Sequence, residues 1–277
     1  MISTTTVGDL QADGRWHRPV LLSRHILLLV TAGHGSQEID FHRHPCRPGT
    51  AIRGRPGQLV RGLGSAGFDG VIVCWDDRAG VDVAEVVAAL DERPGSDHWQ
   101  LTGEDEDAVI SEVSQLVVDC RRHRADGLAT DLLRRQLAVL LLRLAVLVEQ
   151  RAPMPGSSML TYHRLCRELE RSYGRTRRAE DYADLLRCSV RTLTRACLAA
   201  TGRSAKQVID ARVALEAMRL LTATDEPVAD IGRRLGFPEP TNFGRFFHRE
   251  VGHTPGAFRA LSPQPASRIC LGDPDPG

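Results

Sequence analysis

The sequence predicts an α+β chain of more than one domain. A small β barrel followed by helices comes first, then an all-α domain with two helix-turn-helix units. Three observations predict this. Between Pro19 and Asp77, Gly and Pro interrupt short apolar runs every several residues, as in a small barrel or sandwich. From Asp105 the apolar residues recur at helical spacing instead. Near the C-terminus, Val228–Arg259 holds two short helical patterns on either side of a Gly-Phe-Pro break.

Length and composition bound the rest. The 277 residues suit one to two domains, and 42% hydrophobic content is enough for ordinary cores. No apolar run reaches the roughly eighteen residues of a membrane span. The nearest, Leu137 to Val148, is interrupted by Arg143. HILLLV, from His25, is too short and too far into the chain for a signal peptide. The seven Cys form no CxxC pair and mostly sit in apolar patterns. They read as reduced core thiols of a cytoplasmic protein.

Residues 1–18 are polar and are expected to form a mobile N-terminal arm. Residues 19–151 are expected to form one domain. Its extended runs are RPVLLS, HILLLVTAG, SQEIDFHRH, PGTAIRGRPGQ and GFDGVIVCWDD. VAEVVAALDE then reads as a short helix, ended by Pro-Gly. In the next helix, Asp105 to His123, one face takes Val109, Val113, Leu116, Val117 and Cys120. The acids Glu104 to Asp107 suit its start, and Arg121, Arg122, His123 and Arg124 suit its end. Asp126-Gly127 breaks the chain before a helix from Leu128 to Glu149. There Leu133, Leu137, Leu140, Leu144 and Leu147 follow heptad spacing, which reads as a dimerisation seam or as packing on the chain's own barrel.

Residues 152–158, APMPGSS, form a linker. Residues 159–260 form the second domain, and the Pro-rich 261–277 reads as a disordered tail. In the second domain, Thr161 to Tyr173 and Ala179 to Leu186 are helical. Ser189 can cap a third helix that turns Val190, Leu193, Ala196 and Cys197 inward. Thr201-Gly202 ends it, and Lys206 to Leu221 is one long helix. In the second unit Gly236 ends a helix holding Val228, Ile231 and Leu235. Pro240 opens the next, which holds Phe243, Phe246 and Phe247.

Ile231, Gly236-Phe237, Phe243, Arg245-Phe246-Phe247, Gly252, Thr254-Pro255 and Phe258-Arg259 resemble the signature of the AraC/XylS family of bacterial transcription regulators. Gly232 departs from the family's usual Ala, and Arg187 stands where the first unit usually has a turn Gly. The resemblance reaches back to about Met159 and implies that the domain binds double-stranded DNA at an operator. Two units on one connecting helix can address major-groove segments about one turn apart. The reading helices implied are about Val190–Ala199 and Pro240–Arg249. The family pattern puts Arg191, Thr194 and Arg195 of the first, and Thr241, Asn242 and Arg245 of the second, toward the groove. Arg suits guanine, Asn suits adenine and Thr suits a thymine methyl or phosphate. His248, Arg249 and Arg259 read instead as phosphate contacts or helix caps. RNA polymerase and a homodimer partner are implied by the same resemblance.

Charge agrees with a nucleic-acid partner for this half. Ser158 to Ala260 has 18 Lys+Arg against 12 Asp+Glu, a net of +6; Met1 to Ser157 has 17 against 21, a net of −4.

EID, PG, a second PGQ and the GVIVCW strand resemble the cupin-like sensor domain of many family members. A small-molecule effector inside the barrel is therefore implied. His42 and His44 match the start of a metal-cupin motif, but Pro48, Gly49 and Val60 stand where further ligands belong. No metal and no cofactor are expected. His42, His44, Arg53, Arg61 and Trp75 are candidate pocket residues, with strand register undecided. The family's arm folds over its ligand, which makes Trp16 and His17 candidate lid residues.

A regulator, not an enzyme, is the reading. The alternative is a metal-dependent cupin enzyme or a thiol-based DNA-repair protein fused to a DNA reader, with Cys46 beside His44 and Arg47 as its only local hint. A regulator controlled by a protein partner is a third possibility.

Overall fold

Apolar alternation decides which way each N-terminal side chain turns. In β3 (His25–Ala32), Ile26, Leu28 and Val30 join one core while Leu27 and Leu29 join another, and all five are buried. A strand buried on both faces must have a layer on each side. In the computed structural model, which describes residues 1–12, 14, 16–63, 67–91, 97–122, 127–151 and 156–262, β3 lies at the centre of a five-stranded sheet. That sheet runs β1 (Ile2–Thr6), β8 (Asp69–Trp75), β3, β6 (Thr50–Gly54), β9 (His98–Gln100). A second sheet runs β2 (Val20–Leu21), β7 (Leu59–Gly62), β4 (Gly35–Ile39), β5 (His42–Cys46). Every pairing is antiparallel. The architecture is thus α+β, with a double antiparallel sheet where a barrel is expected and an all-α second part.

One core includes Ile26, Leu28, Ile39, Val60 and Ile72 and lies between the two sheets. Another covers the far face of the five-stranded sheet with α2 (Val81–Asp91), α3 (Glu104–Arg122) and α4 (Gly127–Arg151).

Two expectations are corrected here. Residues 1–18 are not a free arm. Ile2–Thr6 pairs with β8, and α1 (Val7–Ala12) buries Val7 and Leu10 in the inter-sheet core. Leu133, Leu137, Leu140, Leu144 and Leu147 are not an open dimer seam. All five are buried at 0–5% exposure in the core shared with the sheet, α2 and α3. Trp99 of β9, a strand the sequence did not announce, donates its Nε1–H to Leu144 O at 3.2 Å from within that core. The apolar residues left outside on α4 are Leu128, Leu132, Val139, Leu142 and Val146.

The chain divides between Arg151 and Ala152 into two compact units. The second holds α5 (Ser157–Ser172), α6 (Ala179–Leu185), α7 (Val190–Thr201), α8 (Ala205–Ala223), α9 (Val228–Arg234), α10 (Pro240–Val251) and α11 (Pro255–Leu261). Helix α8 serves two cores. Ala205 and Ile209 pack with α5, α6 and α7, while Val213, Ala217, Leu220 and Leu221 pack with α9 and α10. The break expected at Asp126, residues 152–155 of the linker and the tail from 263 lie outside the described residues. No described helix is long and apolar enough to cross a membrane.

Candidate nucleic-acid interface

Each helix-turn-helix is built from local signals that recur fifty residues apart. Leu193 and Phe243 are fully buried, as are Cys197 and Phe247. Gly202 and Gly252 close α7 and α10 in the left-handed region, at φ 69° and 84°. Ser204 and Thr254 then cap α8 and α11 by accepting from Gln207 N and Ala257 N. The turn before each reading helix also needs one left-handed residue. Gly236 supplies it in the second unit at φ 80°, and Arg187 in the first at φ 53°, without glycine's freedom. Gly232 has its own cause. A Cβ there would lie 3.1 Å from the Phe243 ring, so α9 and α10 approach closely enough to require a small residue.

The inward residues fix the outward ones. With Leu193, Ala196 and Cys197 buried, α7 leaves Arg191 and Arg195 exposed and Thr194 half-buried. With Phe243, Phe246 and Phe247 buried, α10 leaves Thr241, Asn242 and Arg245 exposed. Among the described residues none of these six side chains makes a hydrogen bond or ion pair. Helical register pairs Asn242 with Thr192, a position that sequence reasoning passed over. Its hydroxyl lies 2.9 Å from Ser189 Oγ at the cap.

The neighbouring cations are differently employed. Arg249 reaches Asp210 at 3.2 Å and Glu250 at 2.8 Å, and Lys206 holds the other oxygen of Asp210. Asp210 is 5% exposed, so these contacts tie α10 to α8. Arg177 lies 3.7 Å over the Phe237 ring and donates to Gly236 O, joining the first unit to the turn of the second. Arg259 donates to Leu221 O and Glu226 O beyond the end of α8, as a helix cap would. A concave surface of about 1280 Å³ includes Arg178, Lys206, Asn242, Arg245 and Arg249.

A family model described as a helix-turn-helix domain matches residues 182–261, from within α6 to the end of α11. The HTH-type transcriptional activator RhaR of Enterobacter sp. (strain 638) is 24% identical over 240 residues, covering 85% of this chain and 84% of the relative. The chain is thus similar to a transcriptional activator over most of its length, and to the helix-turn-helix family over residues 182–261. RhaS of the same organism, also an HTH-type transcriptional activator, is 27% identical over 164 residues, 58% of this chain and 57% of the relative. Among solved structures, fatty-acid-bound ToxT from Vibrio cholerae aligns with a TM-score of 0.48 and 10% identity, covering 95% of each chain. The helix-turn-helix match and the similarity to RhaR and RhaS identify the chain as a DNA-binding transcriptional regulator.

The first unit of the regulator holds a small cavity between its sheets, about 20 Å³, little more than room for one water. Trp16 closes it. Its ring lies 5.9 Å from Phe68 and so near Gly62 that an added Cβ would fall 1.9 Å from the indole. Trp16 and Arg61, both named from sequence, line the cavity together with Gln37, which was not. Trp16 Nε1, Gln37 Oε1 and Arg61 Nε are buried without a hydrogen bond among the described residues. His17 stands beside the lid, its Nδ1 3.2 Å from Gly62 O.

The other four candidates lie elsewhere. Arg53 and Trp75 face the helices, because on β6 and β8 the residues facing the second sheet are Ile52, Ile72 and Cys74. Arg53 is fully buried in ion pairs with Asp91 at 2.5 Å and Asp97 at 2.9 Å. His42 is exposed on edge strand β5, and half-buried His44 stacks on His98 at 5.7 Å. Among the described residues no three His, Cys, Asp or Glu are grouped to hold a metal. Burial pushes the Cys46 thiol up to about 11, and its Sγ donates to His44 O. A protonated, buried thiol is the opposite of a reactive one.

Proposed function

We propose that this regulator reads two successive major-groove segments through Arg191, Thr194 and Arg195 on α7 and Thr241, Asn242 and Arg245 on α10. The observation that carries this reading is that all six lie on the outward side of two helices, with no hydrogen bond or ion pair among the described residues. Helix α8 has 19 residues, about 28 Å, which suits one turn of B-DNA between the two readers. The cytoplasm is the compartment that fits such a reader, and the named relatives, both activators, support RNA polymerase as a partner.

The cavity under Trp16 is the proposed effector site. Three unpartnered buried polar atoms around it call for a small ligand with both donors and acceptors, and its entry requires Trp16 to move. The outer face of α4 is the proposed homodimer contact, a second copy being its occupant. Leu128, Leu132, Val139, Leu142 and Val146 follow heptad spacing there and are 41–88% exposed.

Genome-wide DNA capture with the purified protein tests the central reading. A paired-half-site motif that Arg245→Ala and Asn242→Ala lose or relax is expected. Weak, salt-sensitive binding that neither substitution alters would overturn it.

A further inference from the structure

A second cavity, of about 280 Å³, lies on the opposite face of the five-stranded sheet from the Trp16 cavity. His25 and Trp75 form its sheet side, and Ala84, Val87 and Ala88 of α2 form its apolar wall. The charged side chains that line it are acidic. Asp76, Asp77 and Asp91 line it, with no Lys or Arg among the described lining residues. Asp76 is taken by the N-terminal ammonium of Met1, and Asp91 by Arg53 and Arg55. Among the described residues Asp77 pairs with the His25 ring alone, at 3.6 Å, with its side chain 94% exposed.

Among the described residues two ring nitrogens here have no hydrogen-bond partner, Nε1 of Trp75, which is 1% exposed, and Nδ1 of His25. The rings stack at 5.3 Å and 9°, which holds both in place. Trp Nε1 can only donate. With the His25 Nε2 proton turned to Asp77, Nδ1 is a bare acceptor. Asp77 and His25 thus call for N–H donors, and Trp75 calls for an acceptor oxygen. A cation satisfies the uncompensated carboxylate of Asp77, which repels an anion. A short alkyl stem suits the Ala84, Val87 and Ala88 wall.

We propose that this cleft is a second ligand site, for a small organic amine that also carries a hydroxyl or similar acceptor oxygen. It is separate from the Trp16 cavity and does not rest on the effector reading.

Thermal shift and titration calorimetry on the full chain test the proposal, with propanolamine as probe. Propanediol, propionate and ammonium chloride are the comparisons. Propanolamine is expected to raise Tm saturably, and the other three are not. Asp77→Asn, at an exposed position that the fold does not use, should weaken binding about tenfold, as for one lost charge-assisted hydrogen bond. Ala84→Leu should fill the cleft and abolish the response. If that variant proves unstable, Asp77→Asn decides. Equal stabilisation by propanediol, no response to propanolamine, or an undiminished response in Asp77→Asn would each overturn the assignment.

Discussion

Removing Arg245 separates base reading from phosphate attraction. The side chain stands exposed on α10 without an ion pair or hydrogen bond among the described residues, so Arg245→Ala strands no partner. Stability should stay within about 0.5 kcal/mol of wild type. A bidentate contact with a guanine edge contributes about 1–3 kcal/mol, so Kd for the captured operator should rise roughly 5- to 150-fold. A scrambled duplex should lose little. A guanidinium on phosphate behaves differently: it weakens every sequence alike and lowers the slope of log K against log salt by about 0.9. Fluorescence anisotropy on both duplexes at several salt concentrations distinguishes the two. Arg249→Ala is the internal comparison. Arg249 orients α10 through Asp210 and lies 5.4 Å from the Phe246 ring centre, so its loss should weaken both duplexes together. Equal weakening of both duplexes by Arg245→Ala, with a shallower salt slope, would refute the base-reading role.

Three further outcomes are expected. Leu142→Glu on the outer face of α4 should give a monomer by light scattering with its fold intact, whereas Leu144→Ala, two residues on but buried, should cost about 2–5 kcal/mol in denaturant melts; a Leu142→Glu dimer would move the contact elsewhere. Arg187→Gly should stabilise the all-α C-terminal part by about 0.5 kcal/mol, because relief of the left-handed strain at φ 53° outweighs the entropy of an added glycine, raising Tm by about 2–4 °C; a fall in Tm counts against that balance. Burial lowers the pKa of His25 below 6.5, so the unfolded chain takes up the proton first. The resulting stability is complete above 6.5 and is lost as pH falls through the folded value. His25→Phe keeps a ring on Trp75 and should flatten the fall in Tm below that pH, leaving a residue from His44 and His163, which burial shifts the same way.

The helix-turn-helix units were legible because their signals are local. A cap, a buried aromatic or leucine and a closing glycine each act within one or two turns, and Ser189, Leu193 and Gly202 needed no knowledge of distant chain. The sensor half depends on contacts that the sequence does not mark. Period-two alternation tells that Ile52 and Arg53 take opposite faces of β6 but not which face meets the second sheet, so alternation alone leaves Arg53 and Trp75 as open as Arg61. Helix α4 poses the same problem at period 3.5. Leu133 to Leu147 and Leu128 to Val146 are both heptad rows, and only the covering sheet and helices decide which is core. Thr-rich Ile2–Thr6 has no apolar alternation to mark it as a strand, yet edge pairing with β8 needs only backbone.

That two-faced placement gives the first unit a mechanical property. Ile26 and Leu28 of β3 line the cavity closed by Trp16, while His25, at the start of the same strand, lines the cleft under α2. Close-packed interiors transmit displacement rather than absorb it. A ligand that moved Trp16 and an amine seated on His25 would press on opposite faces of one strand, and through it each would alter the packing against which the other binds. Reciprocity requires that any coupling be equal in both directions. Binding of propanolamine should accordingly shift with Trp16→Ala if the strand relays the change, and stay constant if the two cavities are independent.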